Sequence, residues 1–352
     1  MIVAHLDLDA FFAAVEELEE PALASEPLVV GGDPHGRGVV ATANYHARRF
    51  GIHSAMSCAE ALRRCPHAVF VRPRHSLYRE YSQAVWSVVR EIAPTVERTG
   101  LDEGYLDLTE IADSFLEARR LGEAVQAAVQ AATKLSCSLG IAGCKVVAKV
   151  ASDQRKPGGL LVVPAGREAA FLAPFETRLL PGLGPSAEQR LRTGGVTTIG
   201  GLAALSDGEL ARLLPGKIGR MLRDRARGID PRPLELSMER VSIGHEETFE
   251  RDVADRARLH DELRRMAERV AARLTETGQA ARTVTTKVRY PDFSIRSRSR
   301  TVSAGLDDPA ALGDIACDLL DRALRDRPGA LRLVGVSVSN LAPYRQLALH
   351  QA

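Results

Sequence analysis

The chain opens Met1-Ile2-Val3-Ala4-His5-Leu6-Asp7-Leu8-Asp9, an apolar run closed by two carboxylates one residue apart. The run reads as a strand that starts the fold at once, and strand alternation sets Asp7 and Asp9 on one face at its end. Two ionised carboxylates held that close repel unless a cation lies between them. A lone Asp-x-Asp is ordinarily a strand end meeting water, so its meaning depends on the rest of the chain. A second acidic cluster follows in Thr99-Gly100-Leu101-Asp102-Glu103-Gly104-Tyr105-Leu106-Asp107-Leu108, which reads as a strand or tight hairpin. By itself that is ordinary turn chemistry. Taken together, the clusters suggest a site for hard divalent cations, since Mg²⁺ prefers carboxylate oxygens and shares its shell with phosphates. Spacing does not show whether residues 7 and 102 meet.

Outward from these clusters, residues 1–164 alternate strand-like runs (Ile2–Leu8, Leu28–Gly31, Val39–Thr42, Leu101–Leu108, Ser136–Ala142) with helical ones (Leu77–Ile92, Phe115–Leu135, Lys145–Gln154). From about 166 to 233 short helical pieces are punctuated by Pro-Gly and Gly-Gly. That stretch carries 11 Lys and Arg against 7 Asp and Glu, a basic excess that the whole-chain net charge of +2 conceals. A linker near 234–243 holds mixed charges. Beyond it, helices Leu259–Thr277 and Pro309–Asp326 are interleaved with strands Thr283–Tyr290, Ile295–Val302 and Leu331–Val338. That order is β-α-β-β-α-β, a split sandwich with helices on one face of an antiparallel sheet.

At 352 residues and 45% hydrophobic composition the chain can bury several ordinary cores. No apolar run approaches the ~18 residues of a membrane helix, and the N-terminus lacks a signal-peptide pattern. These readings imply no membrane partner. Five Cys without a C-x-x-C spacing argue against a disulfide framework or zinc site and fit a reduced, cytoplasmic setting.

Four blocks in order carry a likeness. They are Asp7-Leu8-Asp9-Ala10-Phe11-Phe12-Ala13-Ala14-Val15-Glu16, then Ala41-Thr42-Ala43-Asn44-Tyr45-His46-Ala47-Arg48-Arg49-Phe50-Gly51, then Leu101 to Asp107, and finally Lys145 to Gly159 with Lys149-Val150-Ala151-Ser152-Asp153 and Lys156-Pro157-Gly158-Gly159. The chain resembles the Y-family translesion DNA polymerases over nearly its whole length. The resemblance implies an α+β, multidomain right hand. Palm and fingers would occupy 1–165, with small fingers at about 11–75 inserted in the palm. A helical thumb would span 166–233, a linker 234–243, a β-α-β-β-α-β little finger 244–342 and a tail 343–352. It implies a template-directed, low-fidelity polymerase that lacks proofreading and adds dNTPs to a primer 3′-OH, working as a monomer. The alternative is a DNA-binding accessory subunit that keeps the fold without catalysis; the three intact acids argue against it, as the basic thumb and little finger do against another palm-type enzyme such as a nucleotidyl cyclase.

Residue by residue, the resemblance implies that Asp7, Asp102, Glu103 and the Leu8 carbonyl oxygen bind two Mg²⁺ ions, with Mn²⁺ an acceptable substitute. Asp9 becomes a supporting residue. Phe12, beside Phe11, becomes the steric gate that leaves no room for a ribose 2′-hydroxyl. Tyr45 and Arg48, three apart on a helix, share a face and can reach one triphosphate, with Lys156 adding a point charge. Two positions depart from the usual pattern, where the family has Ser at 100 and Asn at 144 and this chain has Gly100 and Cys144.

DNA would be held in three places. Gly182 and Gly184 lie in Pro181-Gly182-Leu183-Gly184, a turn like that of a helix-hairpin-helix element, where glycines permit positive φ and backbone amides meet a phosphate. Lys217 stands in a second such turn. Lys287, Arg289, Arg296, Arg298 and Arg300 alternate along two strands with Asp292 the one nearby acid, which suggests an uncompensated basic stripe along primer–template DNA. The tail carries Gln346, Leu347 and Leu349 in a Gln-Leu-x-Leu segment that resembles a sliding-clamp-binding peptide, although His350 replaces its final aromatic.

Overall fold

The opening strand, observed as Val3–Leu8 in a computed structural model that describes residues 1–237 and 240–343, becomes the middle of a five-stranded sheet. It runs antiparallel to Glu103–Asp107 on one side and to Cys137–Ala142 on the other, and Val96–Arg98 and Leu160–Val162 complete the edges. Alternation divides its side chains. Ala4, Leu6 and Leu8 enter a core with Trp86, Leu106 and Leu139, roofed by helices His75–Ile92 and Phe115–Thr133. Val3, His5 and Asp7 face the opposite side, where helix Lys145–Asp153 lies on the sheet. Gly140 permits that approach, because a Cβ there would come within 2.1 Å of the Ala148 carbonyl oxygen.

The expected strand Leu101–Leu108 starts only at Glu103. Thr99 N and Gly100 N both donate to the Glu103 carbonyl, closing a turn before the strand begins. A second, three-stranded sheet joins Val40–Ala43, Leu28–Gly31 and Val69–Val71 over a small core of Val29, Ala47, Ile52 and Ala61. Short helices, among them Pro185–Thr193, Asp207–Leu213 and Lys217–Ala226, pack Leu191, Leu210 and Leu222 around a core that continues to the Val146 and Val150 face of helix Lys145–Asp153. All of this belongs to one compact unit, Met1–Ser237.

The other unit, Met238–Ala352, has the anticipated β-α-β-β-α-β order. Strands Ser242–Val253, Gln279–Arg289, Ile295–Leu306 and Leu331–Pro343 form a fully antiparallel sheet. Helices Arg256–Glu276 and Pro309–Asp326 cover one face, burying Leu259, Leu263, Leu312 and Leu320 against Val284, Val288, Val334 and Val336. All five cysteines are buried and free. No helix among the described residues is long and apolar enough to cross a membrane.

Candidate active site

Asp7 stands directly opposite Glu103 on one side and Ser138 on the other. Directly paired residues share a face, so the two carboxylates emerge on the same side of the sheet. Leu8 N donates to the Asp102 carbonyl at 2.9 Å, which draws the Gly100–Asp102 turn against the end of the first strand and delivers a third carboxyl group. Burial pushes the Asp7 carboxyl up to about 6, against the pull of Lys156. Burial raises Asp102 as well, and the Glu103 charge adds to it. Glu103 is held down at about 2 by hydrogen bonding to His5 and Lys149. Lys149 Nζ donates to Glu103 at 2.5 Å, and Lys156 Nζ sits between Asp7 (2.7 Å) and Asp153 (2.8 Å).

Asp7, Asp102 and Glu103 thus bring three carboxylates to one end of the sheet, oxygen donors of the kind a hard divalent cation takes while keeping part of its shell for phosphates. Among the described residues no group of three or more His, Cys, Asp or Glu is arranged to hold a metal ion, and Glu103 and Asp7 are bonded instead to Lys149 and Lys156. Asp9 is placed elsewhere. The strand ends at Leu8, so alternation no longer governs Asp9. Its carboxylate, 3% exposed, accepts from Ser136 Oγ (2.9 Å), Ser138 Oγ (2.8 Å) and Gly158 N (2.8 Å). It ties the strand end to its neighbour and to the loop that carries Lys156.

The Tyr45–Arg48 turn of helix is set by Asn44, a buried residue with every hydrogen-bonding position used. Its Oδ1 accepts from Leu28 N (3.0 Å) and Ala47 N (2.9 Å), while Nδ2 donates to Glu17 (2.7 Å) and the Glu26 carbonyl (2.9 Å). Arg48 stacks its guanidinium 4.9 Å from the Tyr45 ring centroid and donates to the Ala43 carbonyl. The Tyr45 hydroxyl is buried with no partner among the described residues. Burial pushes it up to about 12, and the charges of Asp9, Arg48, Lys156 and Asp7 all act on it. A cleft of about 260 Å³ opens there, lined by Asp9, Glu17, Asn44, Tyr45 and Pro157 among others. Phe12 is half-buried at the start of helix Phe11–Glu19. The Phe11 ring is 2% exposed in the core, so its side chain is not available for the expected nucleotide contact.

The expected nucleic-acid contacts are rearranged. Gly182 has φ of +90°, and a Cβ there would meet Arg225 Nη1 at 2.4 Å. Gly184 does not share that role: its φ is −80°, and it is the residue from which helix Pro185–Thr193 starts. Gly216, with φ of +83°, precedes helix Lys217–Ala226 and leaves Lys217 exposed. The single basic stripe is corrected too. Arg296, Arg298 and Arg300 pair with Val288, Thr286 and Val284, all buried beneath the helices, whereas Lys287 and Arg289 pair with Ser297 and Ile295 on the open face. Local compensation is also present, since Lys287 bonds Glu246 at 2.7 Å and Arg298 pairs with Asp326. Register across strands, invisible to one-strand alternation, made the difference. Gln346, Leu347 and Leu349 lie outside the described residues.

Sequence reasoning passed over Lys149, His5 and Asn44. Lys149 lay inside a quoted block, one helical turn beyond Lys145. Lys145 goes elsewhere, to Glu97 at 2.5 Å in the interior.

Comparisons with known proteins agree along the chain. Residues 6–153 match the model of the impB/mucB/samB family, residues 240–349 its C-terminal domain, and residues 178–230 the DNA polymerase-iota thumb domain. A DNA polymerase IV of Streptomyces coelicolor is 43% identical over 347 residues, covering 98% of this chain and 72% of that one. A DNA polymerase IV of Alkalilimnicola ehrlichii is 41% identical over 99% of this chain and 98% of its own. Among solved structures, a Y-family DNA polymerase chimera, Dbh-Dpo4(243-245)-Dbh, superposes with a TM-score of 0.89 at 26% identity, covering 97% of this chain and all of that one. An insertion ternary complex of Dbh DNA polymerase gives 0.67 at the same identity and the same coverage of both chains.

Proposed function

The chain belongs to the impB/mucB/samB family of Y-family DNA polymerases, and on that premise we propose how its own residues carry the reaction. It is a DNA-directed DNA polymerase of the translesion class that binds DNA and dNTP, and catalysis in the family is metal-dependent. The primer 3′-hydroxyl attacks the α-phosphorus of a dNTP, the bond to the bridging oxygen breaks, and pyrophosphate leaves. Asp7, Asp102, Glu103 and the Leu8 carbonyl hold the divalent ions, which we take to be two Mg²⁺. When bound, such ions neutralise the charge that builds on the phosphates and make the hydroxyl a better nucleophile. Tyr45, Arg48 and Lys156 supply donors to the triphosphate, so that positioning and electrostatics do most of the catalysis. Phe12 excludes ribonucleotides by overlap with the 2′-hydroxyl.

One observation supports this reading above the others: the Tyr45 hydroxyl is buried, orphaned and surrounded by the charges of Asp7, Asp9, Arg48 and Lys156. A buried polar group without a partner is costly unless a ligand completes it. The test is primer extension on undamaged and abasic templates with Mg²⁺, beside an Asp102→Ala control. Extension lost in the control supports the assignment, and salt-sensitive DNA binding without extension by the wild type would favour a non-catalytic accessory role. We also propose a monomer in the cytoplasm that meets a sliding clamp through Gln346, Leu347 and Leu349, a reading supported by sequence alone.

A further inference from the structure

Four side chains outside the reacting groups are organised around Phe12. The Tyr78 ring lies flat against it, with centroids 4.1 Å apart and planes 15° from parallel, and His75 meets it edge-on at 5.9 Å. Tyr78 is fully buried, and its hydroxyl donates to Glu16 Oε1 at 2.5 Å. Glu16 is itself 2% exposed and is gripped from its other side by Arg74, with Nε at 3.0 Å and Nη2 on the second oxygen. Two helices make the arrangement through one repeat. Phe12 and Glu16 are four residues apart on helix Phe11–Glu19, and Arg74 and Tyr78 are four apart at the start of helix His75–Ile92.

A gate that works by overlap discriminates only as far as its ring cannot retreat. A half-buried Phe swings aside at the modest cost of leaving a rotamer well, unless packing fills the space behind it. Tyr78 fills that space. A buried carboxylate with bidentate support and a hydroxyl donor then fixes Tyr78 itself against rotation. We propose that Tyr78, anchored by Glu16 and Arg74, is a positioning residue that gives Phe12 its rigidity and thereby sets how strongly this polymerase rejects ribonucleotides. The inference rests on Phe12 being the gate.

The test measures kcat/KM for insertion of a dNTP and of the matching rNTP by the wild-type chain and by Phe12→Ala, Tyr78→Leu, Tyr78→Phe and Glu16→Gln. Phe12→Ala is expected to abolish most of the sugar preference. Tyr78→Leu is expected to lower the dNTP/rNTP ratio about tenfold, through a rise in rNTP insertion. Tyr78→Phe keeps the stack and loses only the bond to Glu16, so it falls between Tyr78→Leu and wild type, and Glu16→Gln behaves like it. These two conservative variants carry the test if Tyr78→Leu fails to fold. Loss of preference in Phe12→Ala with wild-type ratios in the Tyr78 and Glu16 variants overturns the inference and leaves the gate standing. Equal losses for dNTP and rNTP would make Tyr78 merely structural, which also overturns it. An unchanged ratio in Phe12→Ala removes the gate assignment and the inference together.

Discussion

At the scale of single residues, the three acids are distinguished by their surroundings. Asp7 and Asp102 are raised by burial, whereas Glu103 is held low by His5 and Lys149. Asp102→Ala is expected to lower primer extension by at least about a thousandfold with DNA binding intact, and a gel-shift beside the extension assay separates the two. Tyr45→Phe removes the orphaned hydroxyl and nothing else. Its loss is expected to raise KM for dNTP about tenfold or more, the worth of one hydrogen bond to a charged group, and steady-state insertion kinetics would read it. The sequence exposes Asp7, Asp102, Glu103, Tyr45 and Arg48 through residue type and order. It does not expose the work of Asp9, because Ser136, Ser138 and Gly158 meet it from more than 120 positions away.

At the scale of elements, long periodic segments were legible and short ones were not. Helix Pro309–Asp326 shows its apolar period over five turns and is seen with the expected bounds. Strands Val69–Val71, Val96–Arg98 and Leu160–Val162, three residues each, are too short for a period-two pattern to declare itself. Pairing between elements adds two expectations. Lys145 and Glu97 form an ion pair at 4% and 6% exposure, and Glu97 also accepts from Glu235 N at 2.8 Å. Lys145→Ala strands that carboxylate and is expected to cost about 3–5 kcal/mol, read as a fall in the denaturant midpoint. Asp326 holds Arg298 at the end of helix Pro309–Asp326. Asp326→Asn frees that guanidinium, so DNA affinity is expected to rise at low salt and the salt slope to steepen by up to about 1; equal slopes would keep Arg298 off the DNA.

At the scale of the whole molecule, the net charge of +2 hides a segregation that binding depends on. Exposed Lys217 and Arg220 lie on helix Lys217–Ala226, and exposed Arg296 and Arg300 on strand Ile295–Leu306; DNA affinity should fall steeply between low and physiological salt, checked by fluorescence anisotropy across a salt series. Removal of residues 344–352 should spare distributive synthesis and lower clamp-stimulated synthesis; unaltered stimulation would leave the tail without that role. What the sequence determined by itself is local: apolar periods that make helices and strands, turn residues that end them, and the order of chemical types that carries the family likeness. Only the tertiary structure decided which of these groups meet. Cross-strand register put Asp7 beside Glu103 but divided five basic residues between two faces, because each strand's alternation is defined only relative to the strand it pairs with. Packing between helices set Tyr78 behind Phe12, a contact between residues 66 apart in sequence. Such contacts follow from how elements fill space together, and no window of neighbouring residues contains that information.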